Sequence, residues 1–150
     1  MLHFKFETAV HWIFGVTIQF EDADYVVNVR DLPEVVTSGI SLDEALALAA
    51  DAIEVAVAGR IDDEMPLARP TQFQLGEYRV ALAPQIAAKA SLYILWREAG
   101  LSKSELGRRL GRTETEARRI LSARHGTKLN HMQEAARAMG ASLVVGFAKA

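Results

Sequence analysis

Between residues 101 and 121 the chain reads LSKSELGRRLGRTETEARRIL, and six of those twenty-one residues are lysine or arginine. Cations at that density neutralise phosphates, and a guanidinium can also pair bidentately with a guanine edge. The stretch carries the punctuation of two short helices meeting at a turn. Gly107 supplies the small residue a helix crossing needs and Gly111 the turn, while Leu106, Leu110, Ala117 and Ile120 occupy the inward positions. Ser102-x-x-Glu105 and Thr113-x-x-Glu116 are separate start signals for the two helices. The spacing predicts a helix-turn-helix whose second helix reads DNA. Its outward residues are Glu114, Thr115, Arg118, Arg119 and Ser122, with Arg112 and Thr113 at its entrance. Arg118 and Arg119 lie about 100° apart on such a helix, so only one can point straight into a groove. Arg118 is assigned to base edges; Arg119 either grips the flanking phosphate or braces the module. Ser102, Lys103, Arg108, Arg124 and Lys128 sit near helix ends and in the following loop, where phosphate contacts concentrate. Glu114 either accepts from cytosine N4 or favours the positive end of its own helix. Double-stranded operator DNA is therefore the expected partner of this half. Such modules bind as dimers to paired half-sites, so a homodimer is expected, alone or paired into a tetramer.

Other chemistries find less support. A metal-dependent nuclease needs converging carboxylates, and Asp22, Asp24, Asp31 and Asp51 are available. Asp22 and Asp24 share one turn, however, and surface acidity accounts for all four more simply. His3, His11, His125 and His131 lack metal-ligand spacing. No phosphate loop or Ser-His-Asp set is evident, and the chain has no cysteine. The expectation is a protein that is not an enzyme, with no catalytic residue, metal or cofactor. Absence of cysteine suits a reducing cytoplasm. No apolar run approaches the roughly 18 residues of a membrane span. AVHWIFGV is interrupted by His11 and Gly15 and lacks the flanks of a signal peptide.

The 150 residues carry a formal net charge of −2 that conceals a split. Residues 1–83 hold 5 Lys/Arg against 14 Asp/Glu, a balance of −9, whereas residues 84–150 hold 12 against 5, a balance of +7. Two surfaces follow: a basic one for a polyanion and an acidic one for a basic partner.

The elements that position these residues are legible in the same way. VTIQF (16–20) alternates, EDAD is a turn, and YVVNVRD (25–31) completes a hairpin. LPEVVTSG adds a proline corner and a short third strand. SLDEALALAADAIEVAVAG (41–59) is an amphipathic helix with a capping box at Ser41 and Glu44, its inner face Leu42, Leu46, Ala49, Ile53, Ala56 and Val57, and Gly59 its stop. Residues 60–75 form a loop with two prolines, and GEYRVALAP (76–84) supplies a fourth strand. From Pro84 onward four helices follow, over 84–100, 102–110, 113–123 and 130–139, and SLVVGF (142–147) predicts a last short strand, which either pairs between subunits or caps its own domain. The domains would be 1–83 and 84–150, with 1–15 an extra N-terminal segment containing a further strand.

The stretch YVVNVRDLPEVVTSGISLDEALALAADAIEVAVAG resembles the HicB antitoxin family, through Tyr25, Asp31-Leu32-Pro33, Thr37-x-Gly39 and Ser41-x-x-Glu44-Ala45 in that order. The similarity extends over about residues 16–147; Arg30 and Glu34-Val35 replace the residues that often flank the family's D-L-P. The resemblance implies an α+β chain: a partial ribonuclease-H-like β-β-β-α-β domain, then an all-α, lambda-repressor-like helix-turn-helix domain. It implies that the acidic domain binds and blocks a HicA-like toxin, a small basic protein that cleaves mRNA, and that the basic domain represses the shared operon. Candidate toxin contacts are Tyr25, Asp31, Pro33 and Glu34, on the strand and corner carrying the motif; core packing for Tyr25 and turn chemistry for Pro33 are the plainer alternatives. A stand-alone regulator whose first domain senses a small ligand or oligomerises is the rival function.

Overall fold

The computed structural model describes residues 9–149. These divide into two compact units, one of His11–Ala87 and one running from Ala88 onward with residues 9 and 10. The first is α+β. Strands β1 (Ile13–Glu21), β2 (Asp24–Val29) and β3 (Val36–Gly39) lead into helix α1 (Leu42–Asp62) and strand β4 (Tyr78–Ala81). The sheet order is β3-β2-β1-β4, with every neighbouring pair antiparallel.

Alternation decides which face is covered. Phe14 and Val16 of β1 stand opposite Val80 and Tyr78 of β4, while Val16 also faces Val29 across the hairpin and Ile18 faces Val27. Phe14, Val16, Val27, Val29 and Val80 are all buried, and Ala45, Ala49, Ile53, Val57 and Ile61 form the buried side of α1, which packs on the sheet. Thr17, Gln19, Asn28 and Ser38 stay exposed, so one face carries the core and the other is polar. The hairpin closes through Asp22 and Ala23 alone, both at positive φ (50° and 68°). This is the two-residue turn whose twist matches the strands, and it normally takes Asn-Gly or Asp-Gly. Gly39 has to be glycine for another reason: a Cβ there would lie 2.6 Å from the backbone nitrogen of Ala45.

Three expectations need correction in this unit. The first strand begins at Ile13, so residues 13–15 extend β1 and form no separate strand; residues 1–8 of the expected extra segment lie outside the described residues. Helix α1 runs through Gly59 to Asp62. The added turn is anchored by buried Ile61 and by Arg60, which donates to both Glu34 carboxylate oxygens at 2.7 and 2.8 Å, and these contacts outweigh the cost of about 1 kcal/mol for an interior glycine. At its start, Ser41 accepts from the Glu44 N–H at 3.1 Å, but Glu44 reaches back to the N–H of Ile40 rather than that of Ser41. The expected reciprocal box is displaced by one residue.

The second unit is helical. Helix α2 (Pro84–Ala99) enters it, and α3 (Lys103–Leu110), α4 (Glu114–Leu121) and α5 (Leu129–Ala138) follow. Leu92, Tyr93, Leu106, Ala117, Ile120, Leu121, Met132, Ala135 and Ala136 are its buried residues among others. The expected strand at 142–147 does not form. This unit has no other strand among its described residues to pair with, and the N–H of Leu143 goes instead to the Gln133 side-chain oxygen at 2.6 Å. No helix among the described residues is long and apolar enough to cross a membrane.

Candidate functional site

The basic stretch folds as two short helices around a tight turn. Ser102 caps α3 by accepting from the Glu105 N–H at 3.0 Å, and Thr113 forms a full capping box with Glu116. Glu105 does not complete the first box; its carboxylate meets Arg108 and Arg109 instead. Gly111 ends α3 in the left-handed conformation (φ 64°), where glycine has no steric penalty. Gly107 sits where the helices approach: a Cβ there would lie 2.9 Å from the Thr113 carbonyl oxygen and 3.0 Å from that of Arg112. Of the four expected inward residues, Leu106, Ala117 and Ile120 are buried and Leu110 is half-buried.

Helix α4 presents Thr115, Arg118 and Arg119 to solvent, the Arg118 side chain being 58% exposed. Arg118 donates to Glu114 one turn earlier, and Ser104 of α3 donates to the other Glu114 oxygen at 3.1 Å. The hydrogen bond from Arg118, then that from Ser104, holds the Glu114 carboxyl below the usual carboxylate range. Glu116 is likewise held low, first by the Thr113 N–H and then by its hydroxyl. Ser122 is the C-cap of α4. Arg112 is tied across to Glu134 of α5 at 2.9 Å. Arg108, Arg124 and Lys128 are exposed, and the Lys103 ammonium stands 5.5 Å from the centre of the Trp96 ring, a cation–π distance.

Sequence reasoning missed the residue that fixes α4 from beneath. Lys89 of α2 is completely buried, and its Nζ donates to the carbonyl oxygens of Arg119 (3.1 Å) and Ile120 (2.6 Å) and to the Thr127 hydroxyl (2.6 Å). A cation at a helix C-terminus satisfies carbonyls that have no intrahelical partner and opposes the negative end of the helix dipole. The signal was available: in PQIAAKASLYIL, Lys89 falls three residues after Ile86 and four before Tyr93, on the apolar side.

In the other unit, the corner after β2 is organised around Arg30. Its guanidinium makes a bidentate pair with Glu77 (3.0 Å twice), reaches Asp31 at 3.4 Å, and donates to Thr71 and to the carbonyl of Gln72 (2.8 Å). Asp31 accepts from the Thr71 N–H at 2.8 Å and hydroxyl at 2.7 Å. The Glu77 side chain is only 3% exposed, and the hydrogen bond from Arg30 holds its carboxyl below the usual range. Among the four candidate toxin contacts, Asp31 thus belongs to this clamp. Glu34 is paired with Arg60, whose hydrogen bond holds its carboxyl low. Pro33 is exposed, and Tyr25 is half-buried against Phe20 with ring centres 5.0 Å apart. Asp22, Asp24, Asp31 and Asp51 do not converge, and no cluster able to hold a metal ion occurs among the described residues.

Residues 13–91 match the family described as HicB_like antitoxin of bacterial toxin-antitoxin systems. The chain is 33% identical over 130 residues to antitoxin HicB 2 of Photorhabdus laumondii, covering 87% of this chain and 92% of that protein. The chain belongs to the HicB antitoxin family. Antitoxin HicB of Escherichia coli K12 is 28% identical over 81% of this chain and 88% of its own length, and antitoxin HicB of Pseudomonas fluorescens is 27% identical over 91% and 94%. HicB antitoxins are not enzymes. The matches to these relatives span 81–91% of this chain, so the likeness is not confined to the first unit.

Proposed function

We propose that this HicB protein neutralises a small, basic, HicA-like mRNA-cleaving toxin with its acidic first unit and represses its own operon by sequence-specific DNA binding through α3 and α4. The observation that carries the DNA half is the geometry of that helix pair. Gly107 permits the close crossing, Gly111 the turn, and α4 turns Thr115, Arg118 and Arg119 outward on a stretch dense in cations. This supports a helix-turn-helix of the lambda-repressor kind with α4 as reader. Arg118 serves base edges; Lys103, Arg108, Arg124 and Lys128 serve phosphates. Ser102 and Thr113, as caps, aim N–H-rich helix ends at the backbone.

The antitoxin half is supported by family membership and by the balance of −9 over residues 1–83. An acidic surface competes with phosphate for an RNA-cleaving protein's basic groove and speeds its capture. The β-β-β-α-β order supports the partial ribonuclease-H-like description in element order. A homodimer is supported by the last residues: Val144, Val145 and Phe147 are exposed, and pairing this segment between two copies would cover them.

The test is to purify the affinity-tagged full chain from its own host under mild salt and weigh what co-elutes. A stoichiometric small basic protein, released only by denaturant and active as a ribonuclease once free, is the expected companion. A homodimer without one would leave a DNA-binding regulator and end the toxin reading.

A further inference from the structure

We infer that the toxin docks on the outer face of α1, along a stripe in which Ile40, Leu48 and Val55 alternate with Glu44 and Asp51; this rests on the antitoxin reading above. Residues 44, 48, 51 and 55 recur at the four- and three-residue steps that keep one face of a helix. That face is opposite the buried Ala45, Ala49, Ile53 and Val57. Val55 is 64% exposed, Leu48 36%, and Ile40, joined to the helix through its N–H to Glu44, 78%. Ile40 and Val55 thus lie mostly outside the core of this unit, and Leu48 stands at its margin.

The charge around them identifies the occupant. Helix α1 carries Asp43, Glu44, Asp51, Glu54 and Asp62 against Arg60 alone, and Arg60 is already paired with Glu34. Asp43, Asp51 and Glu54 have no side-chain partner among the described residues, whereas the corner carboxylates Asp31 and Glu77 are bound within the chain. A nucleic acid would be repelled by this face, and a second copy would bring the same acidic stripe against it. A basic polypeptide with apolar residues between its cations satisfies both features. The stripe is long and convex rather than concave, which also disfavours a small ligand.

The experiment uses the toxin recovered in the purification above, produced recombinantly, with the full-length antitoxin. Val55→Asp should weaken binding roughly 30-fold, as loss of a central apolar contact does. Asp51→Lys should weaken it about tenfold at low salt and less at high salt, mainly through the association rate. Both positions are solvent-facing, and an unchanged circular dichroism spectrum together with an unchanged thermal unfolding curve establishes that the variants fold. Tyr25→Ala and Glu34→Ala should stay within about threefold, since they lie off the stripe. Hydroxyl-radical footprinting of the wild-type complex, which needs no variant, should protect Ile40, Leu48 and Val55. Tight binding by both α1 variants, or protection centred on residues 31–36 instead, overturns this assignment while leaving the antitoxin reading intact. Absence of any basic companion overturns the reading itself.

Discussion

Arg30 and Lys89 are both cations drawn in to hold a neighbouring segment, one in each unit, and they do it with different chemistry. Arg30 binds carboxylates, using a planar fork that matches Glu77 and clamps the loop after α1 to the sheet. Lys89 meets two main-chain carbonyls and a hydroxyl at the end of α4. The first arrangement makes stability depend on a carboxylate's protonation. The second makes the pose of a short helix depend on one compact ammonium. Neither cation lies in a run of positive charge, which is confined to the exposed helix pair; only the apolar spacing around Lys89 sets it apart. Burial separates these two cations from the exposed ones of the helix pair, and local charge density does not.

The largest expected effect breaks the Lys89 side of this comparison. Lys89→Met fills similar volume but leaves the Arg119 and Ile120 carbonyls and the Thr127 hydroxyl without the ammonium, which should cost about 2–3 kcal/mol. Urea denaturation followed in the helical unit measures it, and operator affinity should fall with it. Gly107→Ala should cost about 2 kcal/mol, because the added methyl meets main-chain atoms at the helix crossing that cannot swing aside. The same variant should impair operator binding while sparing toxin binding, which a pull-down and a gel shift separate.

The Arg30 side should reveal itself through pH. The folded-state pKa of Glu77 is depressed, so its contribution is fully present above the unfolded carboxylate value of about 4.3 and is lost as pH falls through the lower folded value. The stability difference between wild type and Glu77→Gln should therefore be largest near neutrality and shrink in acid, as parallel urea titrations at several pH values would show. A constant difference would mean that the carboxylate's charge is immaterial to the clamp. The smallest effect has the opposite sign. Ala23→Gly should raise stability by roughly 0.5–1 kcal/mol, since alanine occupies a left-handed position at φ 68° in the hairpin turn. Thermal unfolding would register it as a modest rise in Tm.

Most of the secondary structure was readable because its signals are local. Alternation marks the hairpin, the Thr113–Glu116 box and Gly111 mark the helix pair, and four-residue periodicity marks α1. What escaped depends on distant residues. Nothing near Gly59 tells that Arg60 will meet Glu34 and carry the helix another turn. Nothing in GEYR shows that Glu77 closes on Arg30, 47 residues earlier. The apolar alternation of SLVVGF is a real strand signal, but a strand needs a neighbour, and this unit supplies none among its described residues. For the site, the capped helix pair was legible from caps and glycines, and the apolar spacing of PQIAAKASLYIL marked Lys89, but its partners required knowing which helix ends against it. At the motif-bearing corner, Asp31 and Glu34 are held in intramolecular pairs with residues distant in sequence, which no local signal announces.

Under the proposed function, two oppositely charged surfaces bind two partners separately. Its most direct test is a matrix of affinities, with Asp51→Lys and Arg118→Ala each titrated against the recovered toxin and against the operator. A crossed result is expected: Asp51→Lys loses toxin affinity and keeps operator affinity, and Arg118→Ala does the reverse while relaxing the preference for operator over random DNA. If either substitution reduced both affinities alike, or if Arg118→Ala weakened toxin binding and left DNA binding untouched, the division of labour would be contradicted.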